Sequence, residues 1–143
     1  LAATTVTATN LTATNLVFTD QNHPTTAAIN ATATATAAEV ATGYITTTSA
    51  TAVTITLPTG TDLGTAIGAT KGTVLDLFID NTAGASTVTI AVATNGVLST
   101  GAVDAAAAAG TFGDLTIASG ATGIGRFTLM FSSATAYVFT RTA

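Results

Sequence analysis

Residues 72–92 constrain the fold most, because their side chains alternate with a period of two in two separate segments, VLDLFID and TVTIAV. Such alternation is typical of half-buried strands, and the intervening NTAGAS is rich in turn-forming residues. One face of these segments is entirely apolar and holds Leu75, Leu77, Ile79, Val88, Ile90 and Val92. The pattern predicts two strands joined as a hairpin by a loop of more than two residues.

The same alternation recurs along the rest of residues 42–143. Pro58 ends one predicted strand, and Arg126 lies opposite the apolar face of another. Further predicted core residues are Val53, Ile55, Leu57, Phe127, Leu129 and Phe131, whereas Tyr137 and Phe139 share one face of the last strand with Arg141. Residues 61–70 alone have helical spacing, with Thr61 or Asp62 as the expected cap. Short strands spaced about ten residues apart predict an all-β fold, namely an antiparallel β-sandwich, jelly-roll-like, with one short helix.

Residues 1–41 have a different character, since TVTATN, LTATN and LVFTD form an approximate five-residue repeat of mostly small side chains. A segment of this kind buries too little apolar surface to form a core alone. It can, however, add a strand to the sheet of a neighbouring copy. The side chains expected to fill pockets there are Val6, Leu11, Leu16 and Phe18. We therefore expect an extended N-terminal arm (1–41) and a β-sandwich domain (42–143), the alternative for the arm being a flexible linker.

The chain carries very little charge. Only 7% of its residues are charged, against roughly 25% in ordinary soluble domains, and its net charge is -4. A neutral surface rich in threonine and alanine offers little repulsion between copies, so it favours association. Three cationic residues are too few to bind duplex nucleic acid or an anionic membrane. The absence of cysteine excludes disulfides and thiolate metal sites.

Residues with reactive or metal-binding side chains are scattered. His23 has no second histidine or cysteine to act with, so we interpret it as a loop residue. Asp76 and Asp80 share a strand face about 13 Å apart, too far for a glycosidase-type carboxylate pair. Calcium would need further oxygen ligands from Asp62, Asp104 or Asp114. Asn10 and Asn30 fit the glycosylation sequon. We expect no enzyme activity, no catalytic residue, no cofactor and no metal site.

Residues 43–141 resemble a β-sandwich module found in structural proteins of tailed bacteriophages, including capsid decoration proteins and head fibres. The segments that carry the resemblance are TLPT before a short helix, LDLFIDNTAGASTVTI, and the closing pair IGRFTLMF and TAYVFTR. The resemblance implies homotrimers that sit on a capsid, contact the major capsid protein or neighbouring subunits, and attach through N-terminal arms. Residues 1–41 match no particular attachment motif.

These observations favour a structural virion protein, a capsid decoration or head-fibre subunit that assembles through neutral β surfaces and an N-terminal arm. The alternative is a subunit of an extracellular filament or pilus, assembled when the arm donates a strand to the next copy. A carbohydrate-binding module is less favoured, because the chain has no tryptophan and its strand pattern places most aromatic residues inside.

Overall fold

The computed structural model describes residues 25–98 and 115–142, in which ten strands and two helices are found. The strands are β1 (Ala27–Ala28), β2 (Ala33–Thr34), β3 (Tyr44–Thr46), β4 (Val53–Thr56), β5 (Val74–Asp80), β6 (Val88–Ala91), β7 (Gly96–Leu98), β8 (Thr116–Ile117), β9 (Ile124–Ser133) and β10 (Ala136–Arg141). The helices are α1 (Ala37–Ala41) and α2 (Gly60–Ile67). The prediction of a mostly β fold is confirmed, but there are two helices in place of the one expected.

The strands form two sheets. Sheet 1 has the order β1-β3-β5-β9-β10-β7, and sheet 2 has the order β2-β4-β6-β8. In sheet 1, β1, β3 and β5 are parallel, β9 is antiparallel to β5 and to β10, and β7 is parallel to β10. In sheet 2, β2, β4 and β6 are parallel, and β8 is antiparallel to β6. Both sheets are therefore mixed, and the prediction of an antiparallel architecture is wrong.

The parallel strands arise because the chain alternates between the sheets. Three times it forms a strand in sheet 1 and then one in sheet 2, as repeat 1 (β1, β2, α1), repeat 2 (β3, β4, α2) and repeat 3 (β5, β6). Helix α1 packs against α2, so equivalent elements of the first two repeats lie side by side. The strands of 72–92 consequently lie in different sheets and do not form the predicted hairpin. Their alternation identified the buried faces correctly but carried no information about the pairing partner.

Residues 27–41, which the sequence placed in the arm, belong to repeat 1 and to both sheets. Ala27 and Ile29 are buried in and after β1, Ala35 follows β2, and Val40 is fully buried in α1. Small side chains suffice here because each strand of repeat 1 pairs with a strand of repeat 2, which supplies the larger residues. The arm residues 1–24 lie outside the described residues.

The hydrophobic core draws side chains from both sheets and from both helices in one continuous cluster. The predicted apolar face of β9 is confirmed, with Phe127, Leu129 and Phe131 buried. Leu77 of β5 is fully buried as well, and the ring of Phe127 stacks on that of Phe139 with 4.9 Å between centroids. Parallel register places Ile45 beside Ile79 and Ile55 beside Ile90, so equivalent positions of successive repeats carry the same residue type and pack side by side. 

The cap of helix α2 lies two or three residues earlier than the sequence predicted. It is Thr59, whose Oγ1 accepts a hydrogen bond from the backbone N–H of Asp62 at 3.1 Å, so neither Thr61 nor Asp62 is the cap. The helix ends at Gly68, which adopts a left-handed conformation (φ 63°) that is costly for other residues. The N-terminal end thus has a threonine that can accept a backbone hydrogen bond, and the C-terminal end has a glycine that can adopt a positive φ.

Asn81 lies where repeat 3 leaves sheet 1 for sheet 2. Its buried Nδ2 donates hydrogen bonds to the carbonyl oxygens of Ser86 (2.8 Å) and Ala118 (3.0 Å), and its backbone N–H donates to the Gly123 carbonyl. One side chain therefore joins the β5–β6 connection to the segment between β8 and β9. Gly84 packs so closely that an added Cβ would overlap Asn81 Oδ1.

A second buried polar contact links β10 to the end of β4. The hydroxyl of Tyr137 donates to the Pro58 carbonyl at 2.9 Å. Burial raises the pKa of Tyr137 to about 12, because the phenolate would lose its hydration. Gly96 lies over the Tyr137 ring, where a Cβ would collide with it.

We expect Phe127→Ala to lower the free energy of unfolding by about 3–5 kcal/mol, because it removes a fully buried ring and leaves a cavity beside Phe139. Thr87→Ala, at an exposed position of the same fold, is the control and should change stability by less than about 0.5 kcal/mol. Denaturant unfolding measures both. A loss from Phe127→Ala no larger than that from the control would contradict the assignment of the core face.

We expect Asn81→Ala to lower the free energy of unfolding by at least about 2 kcal/mol, because the Ser86 and Ala118 carbonyls lose their hydrogen-bond donor. Gly84→Ala should also destabilise, since the new methyl group displaces the Asn81 side chain. Because both changes act on the Asn81 side chain, their effects on the free energy of unfolding should not add. The double variant should lose clearly less stability than the sum of the losses in the single variants. Strict additivity in urea unfolding would show that Asn81 does not fix this crossing.

The Tyr137 pKa predicts how stability depends on alkaline pH. The folded pKa of about 12 exceeds the unfolded value of about 10. The contribution of the protonated Tyr137 side chain to folding stability is therefore complete below pH 10 and is lost as the pH rises through 12. Stability should therefore fall between pH 10 and 12, and Tyr137→Phe should reduce this fall. Tyr44→Phe is the comparison: the hydrogen bond to Asp80 also raises the pKa of Tyr44, but this residue is far less buried, so its removal should reduce the fall less. An identical alkaline fall in wild type and Tyr137→Phe would contradict this account.

Candidate assembly surface

The outward-pointing side chains of β3, β5, β9 and β10 form one continuous face, which we call the outer face of sheet 1. Because residues alternate across a strand, these are the side chains between the core residues described above. Its members are Tyr44, Val74, Asp76, Phe78, Asp80, Ile124, Arg126, Thr128, Met130, Val138 and Thr140. The register aligns them in rows that run across the strands.

One row is apolar and exposed to solvent. Met130 pairs with Val74 on one side and with Val138 on the other. The exposed fractions are 54% for Val74 and 53% for Met130, and Ile124 at 49% lies on the same face. These three are the large hydrophobic residues that are exposed within residues 25–98 and 115–142, and all three point to the same side of one sheet. Val74 and Met130 are direct neighbours, whereas Ile124 pairs with Asp80, six residues from Met130 along β9. Adjacent exposed apolar residues mark a candidate interaction surface, whereas single ones are ordinary.

A second row is aromatic and ends in an arginine. Tyr44 stacks beside Phe78 with 6.2 Å between ring centroids, and the Arg126 guanidinium lies 5.6 Å from the centre of the Phe78 ring. Register pairs Phe78 with both of its neighbours directly. The row is flat and ordered by contacts within the sheet, so covering it would cost little side-chain entropy.

The carboxylate of Asp76 is paired within the face. It accepts hydrogen bonds from the Arg126 guanidinium and from the Thr128 hydroxyl (2.8 Å) on β9. The hydrogen bond from Arg126 lowers the pKa of Asp76, with Thr128 contributing in the same direction. The contribution of this ion pair to folding stability is present above pH 4, and it is lost as the pH falls through the lowered pKa of Asp76. Since the ion pair is half-exposed, its stabilising effect is small.

Asp80 is also engaged by neighbours. It accepts hydrogen bonds from the Thr82 hydroxyl (2.6 Å) and backbone N–H, and from the Tyr44 hydroxyl (2.9 Å). The Thr82 hydroxyl is the main cause that lowers the pKa of Asp80, while the bond to Asp80 raises the pKa of Tyr44. Both aspartates thus serve local hydrogen bonding. Among the described residues, no group of three or more His, Cys, Asp or Glu side chains is arranged to hold a metal ion.

The outer face of sheet 2 has a different composition. Its outward residues are small and uncharged, mostly threonine: Thr54, Thr56, Thr89, Ala91 and Thr116. Each is half-buried between its neighbours, so the surface is smooth. The expectation of neutral, hydroxyl-bearing β surfaces therefore describes this sheet well, whereas sheet 1 adds large apolar groups to it.

The sequence did not single out the outer face of sheet 1. Period-two alternation puts Val74 and Met130 opposite the predicted core faces of their strands, but it attaches no function to them. The signal was present, because an outward-facing valine, isoleucine or methionine is unusual in a chain whose other outward strand positions are mostly threonine, charged or aromatic residues.

The residues predicted to anchor the arm, Val6, Leu11, Leu16 and Phe18, lie outside the described residues, as does His23. Asn30 is exposed, and its Oδ1 accepts a hydrogen bond from the Thr48 N–H at 2.8 Å.

No helix of the described residues is long and apolar enough to cross a membrane. No family model, curated protein or solved structure matches the chain.

Proposed function

We propose that the protein is a structural virion component of a tailed bacteriophage, a capsid decoration or head-fibre subunit that has no catalytic role. In this proposal the two sheets face each other as a β-sandwich, and copies assemble through neutral β surfaces and an N-terminal arm. The observation that carries the assembly part is the outer face of sheet 1, where Val74 and Met130 are exposed side by side and Ile124 is exposed farther along the same face. The assignment to a phage virion is supported by the sequence resemblance.

The outer face of sheet 1 carries little net charge. Arg126 compensates the charge of Asp76 within the face, whereas Asp80 keeps its negative charge and accepts hydrogen bonds from Tyr44 and Thr82. A partner therefore faces one uncompensated carboxylate, and the apolar row contributes about 25 cal/mol for each Å² that it removes from water. A second copy of the same sparsely charged chain can cover such a row.

The proposed assembly is a homotrimer that contacts the major capsid protein. In a threefold ring one patch of each copy meets a different patch of the next, and a further surface is left for the shell beneath. The outer face of sheet 1, with its large apolar groups, suits the permanent contact between copies, since obligate interfaces are more hydrophobic than transient ones.

An extracellular filament subunit is the second candidate. The observation that favours it is the position of β1 and β2, each of which lies at the edge of its sheet. Edge strands accept a donated strand, which is how strand-exchange filaments are built. Electron microscopy of assembled protein separates the two functions, because a filament is an open polymer and a decoration protein forms closed oligomers.

We expect Met130→Glu to weaken assembly, because it places a charge in the middle of the apolar row without a cation facing it. Light scattering across a dilution series should show the wild-type oligomer persisting at concentrations where Met130→Glu is monomeric. Thr65→Glu, at an exposed position of α2 and away from this face, is the control and should assemble like wild type. A folded wild-type chain that stays monomeric at high concentration would refute the proposal, as would equal assembly of both variants.

A further inference from the structure

Repeat 1 leaves one end of the fold open. In the described part of the chain, β1 pairs only with β3, and β2 only with β4. The N–H of Ile29 bonds to the Thr46 carbonyl and that of Ala35 to the Thr56 carbonyl. Because successive residues of a strand direct their backbone groups to opposite sides, the N–H and C=O groups of Ala28 and Thr34 point toward the open edges.

A groove of about 330 Å³ lies at this open end, between the edge strands and the start of α1. Its lining is half apolar and half polar: the apolar residues are Ala28, Ile29, Ala31 and Ala33, and the polar residues are Asn30, Thr34, Thr36 and Glu39. The one charged side chain there, Glu39, is already bonded to the N–H of Thr36 at 2.7 Å. The groove therefore offers space for apolar side chains, beside backbone groups that can pair with an extended segment.

The edge carries few of the features that prevent strand addition. Proteins protect such edges with lysine, proline or bulges, and none of the residues 27–35 is lysine or proline. The only protection is that both strands are two residues long. In stacked-repeat folds the terminal repeat needs a cap with its own side chains, and repeat 1 contains mostly alanine and threonine.

Residues 11–19, LTATNLVFT, have the composition that the open edge requires. Threonine favours the extended conformation, and Leu11, Leu16 and Phe18 supply large apolar side chains that repeat 1 lacks. The segment belongs to the 24 residues that precede Thr25, which lies two residues before β1. Leu16 and Phe18 lie nine and seven residues before Thr25, so the extended connection spans roughly 25–30 Å, which reaches a copy whose open end adjoins this one.

We infer that the open end of repeat 1 receives residues 11–19 of a neighbouring copy, which pair with the edge backbone and place Leu16 and Phe18 in the groove. The inference rests on the proposed function for the existence of an oligomer, and it adds the receiving site and the donated segment. Each copy is then incomplete until a neighbour supplies this strand.

Cysteine cross-linking tests the inference, because the natural chain has no cysteine. The full-length double variant Val17→Cys/Thr34→Cys places one thiol between the two anchoring residues and one at the edge of β2. A short bismaleimide should convert it into dimers and larger species on a denaturing gel. The matched control, Val17→Cys/Thr65→Cys, carries its second thiol on α2 and should give on the order of tenfold less product, since docking raises the effective thiol concentration.

Each outcome decides between defined alternatives. Linked multimers whose yield falls when Phe18→Asp is added support the inference. A linked monomer shows that the chain fills its own groove and overturns the donation between copies. Absence of a link at Thr34 in a protein that light scattering shows to be oligomeric overturns the inference and leaves the proposed function intact. Absence of a link in a monomeric protein overturns both.

Discussion

The structure depends on the passage of the chain from sheet 1 to sheet 2, which occurs once in every repeat. Each passage separates two strands that are adjacent in sequence and sends each to pair with its counterpart in another repeat. In repeat 3 the passage is held by Asn81, whose side chain also binds the segment after β8. The last parallel strands of both sheets are in this way tied to the antiparallel strands that follow. Without the passages, residues 72–92 would be free to pair as a hairpin, as their local pattern predicts.

Local alternation therefore revealed which side chains are buried, but not which strands are neighbours. The apolar faces of β4, β5, β6 and β9 followed directly from period-two spacing, since successive side chains of a strand point to opposite faces of the sheet. Pairing depends on residues far away in sequence, and hydrophobic alternation is the same for parallel and antiparallel partners. The short strands of repeat 1 were missed because alanine and threonine give no contrast between two faces.

One signal would have revealed the repeats. The tripeptide Val-Thr-Ile occurs at residues 53–55 and again at residues 88–90, and the structure pairs these residues in exact parallel register. Upstream of each copy lies an aromatic residue followed by isoleucine, Tyr44–Ile45 and Phe78–Ile79, which also pair. Such self-similarity is typical of stacked repeats, and here it is short enough to be overlooked among many threonines. The candidate surface was less accessible to prediction, because exposure of Met130 beside Val74 depends on the pairing of β5 with β9.

The low charge of the chain, its exposed apolar row and its open edge strands have one physical consequence in common. A neutral surface, an apolar row on sheet 1 and an open edge at repeat 1 are all unfavourable for a solitary protein and favourable for one held among copies. Amide hydrogen exchange, resolved by residue across a dilution series, tests this most directly. The account predicts that the edge amides of Ala28 and Thr34 are protected in the assembled protein and exchange rapidly after dilution. Equal protection in the monomer and the assembly, or rapid exchange in both, would contradict it.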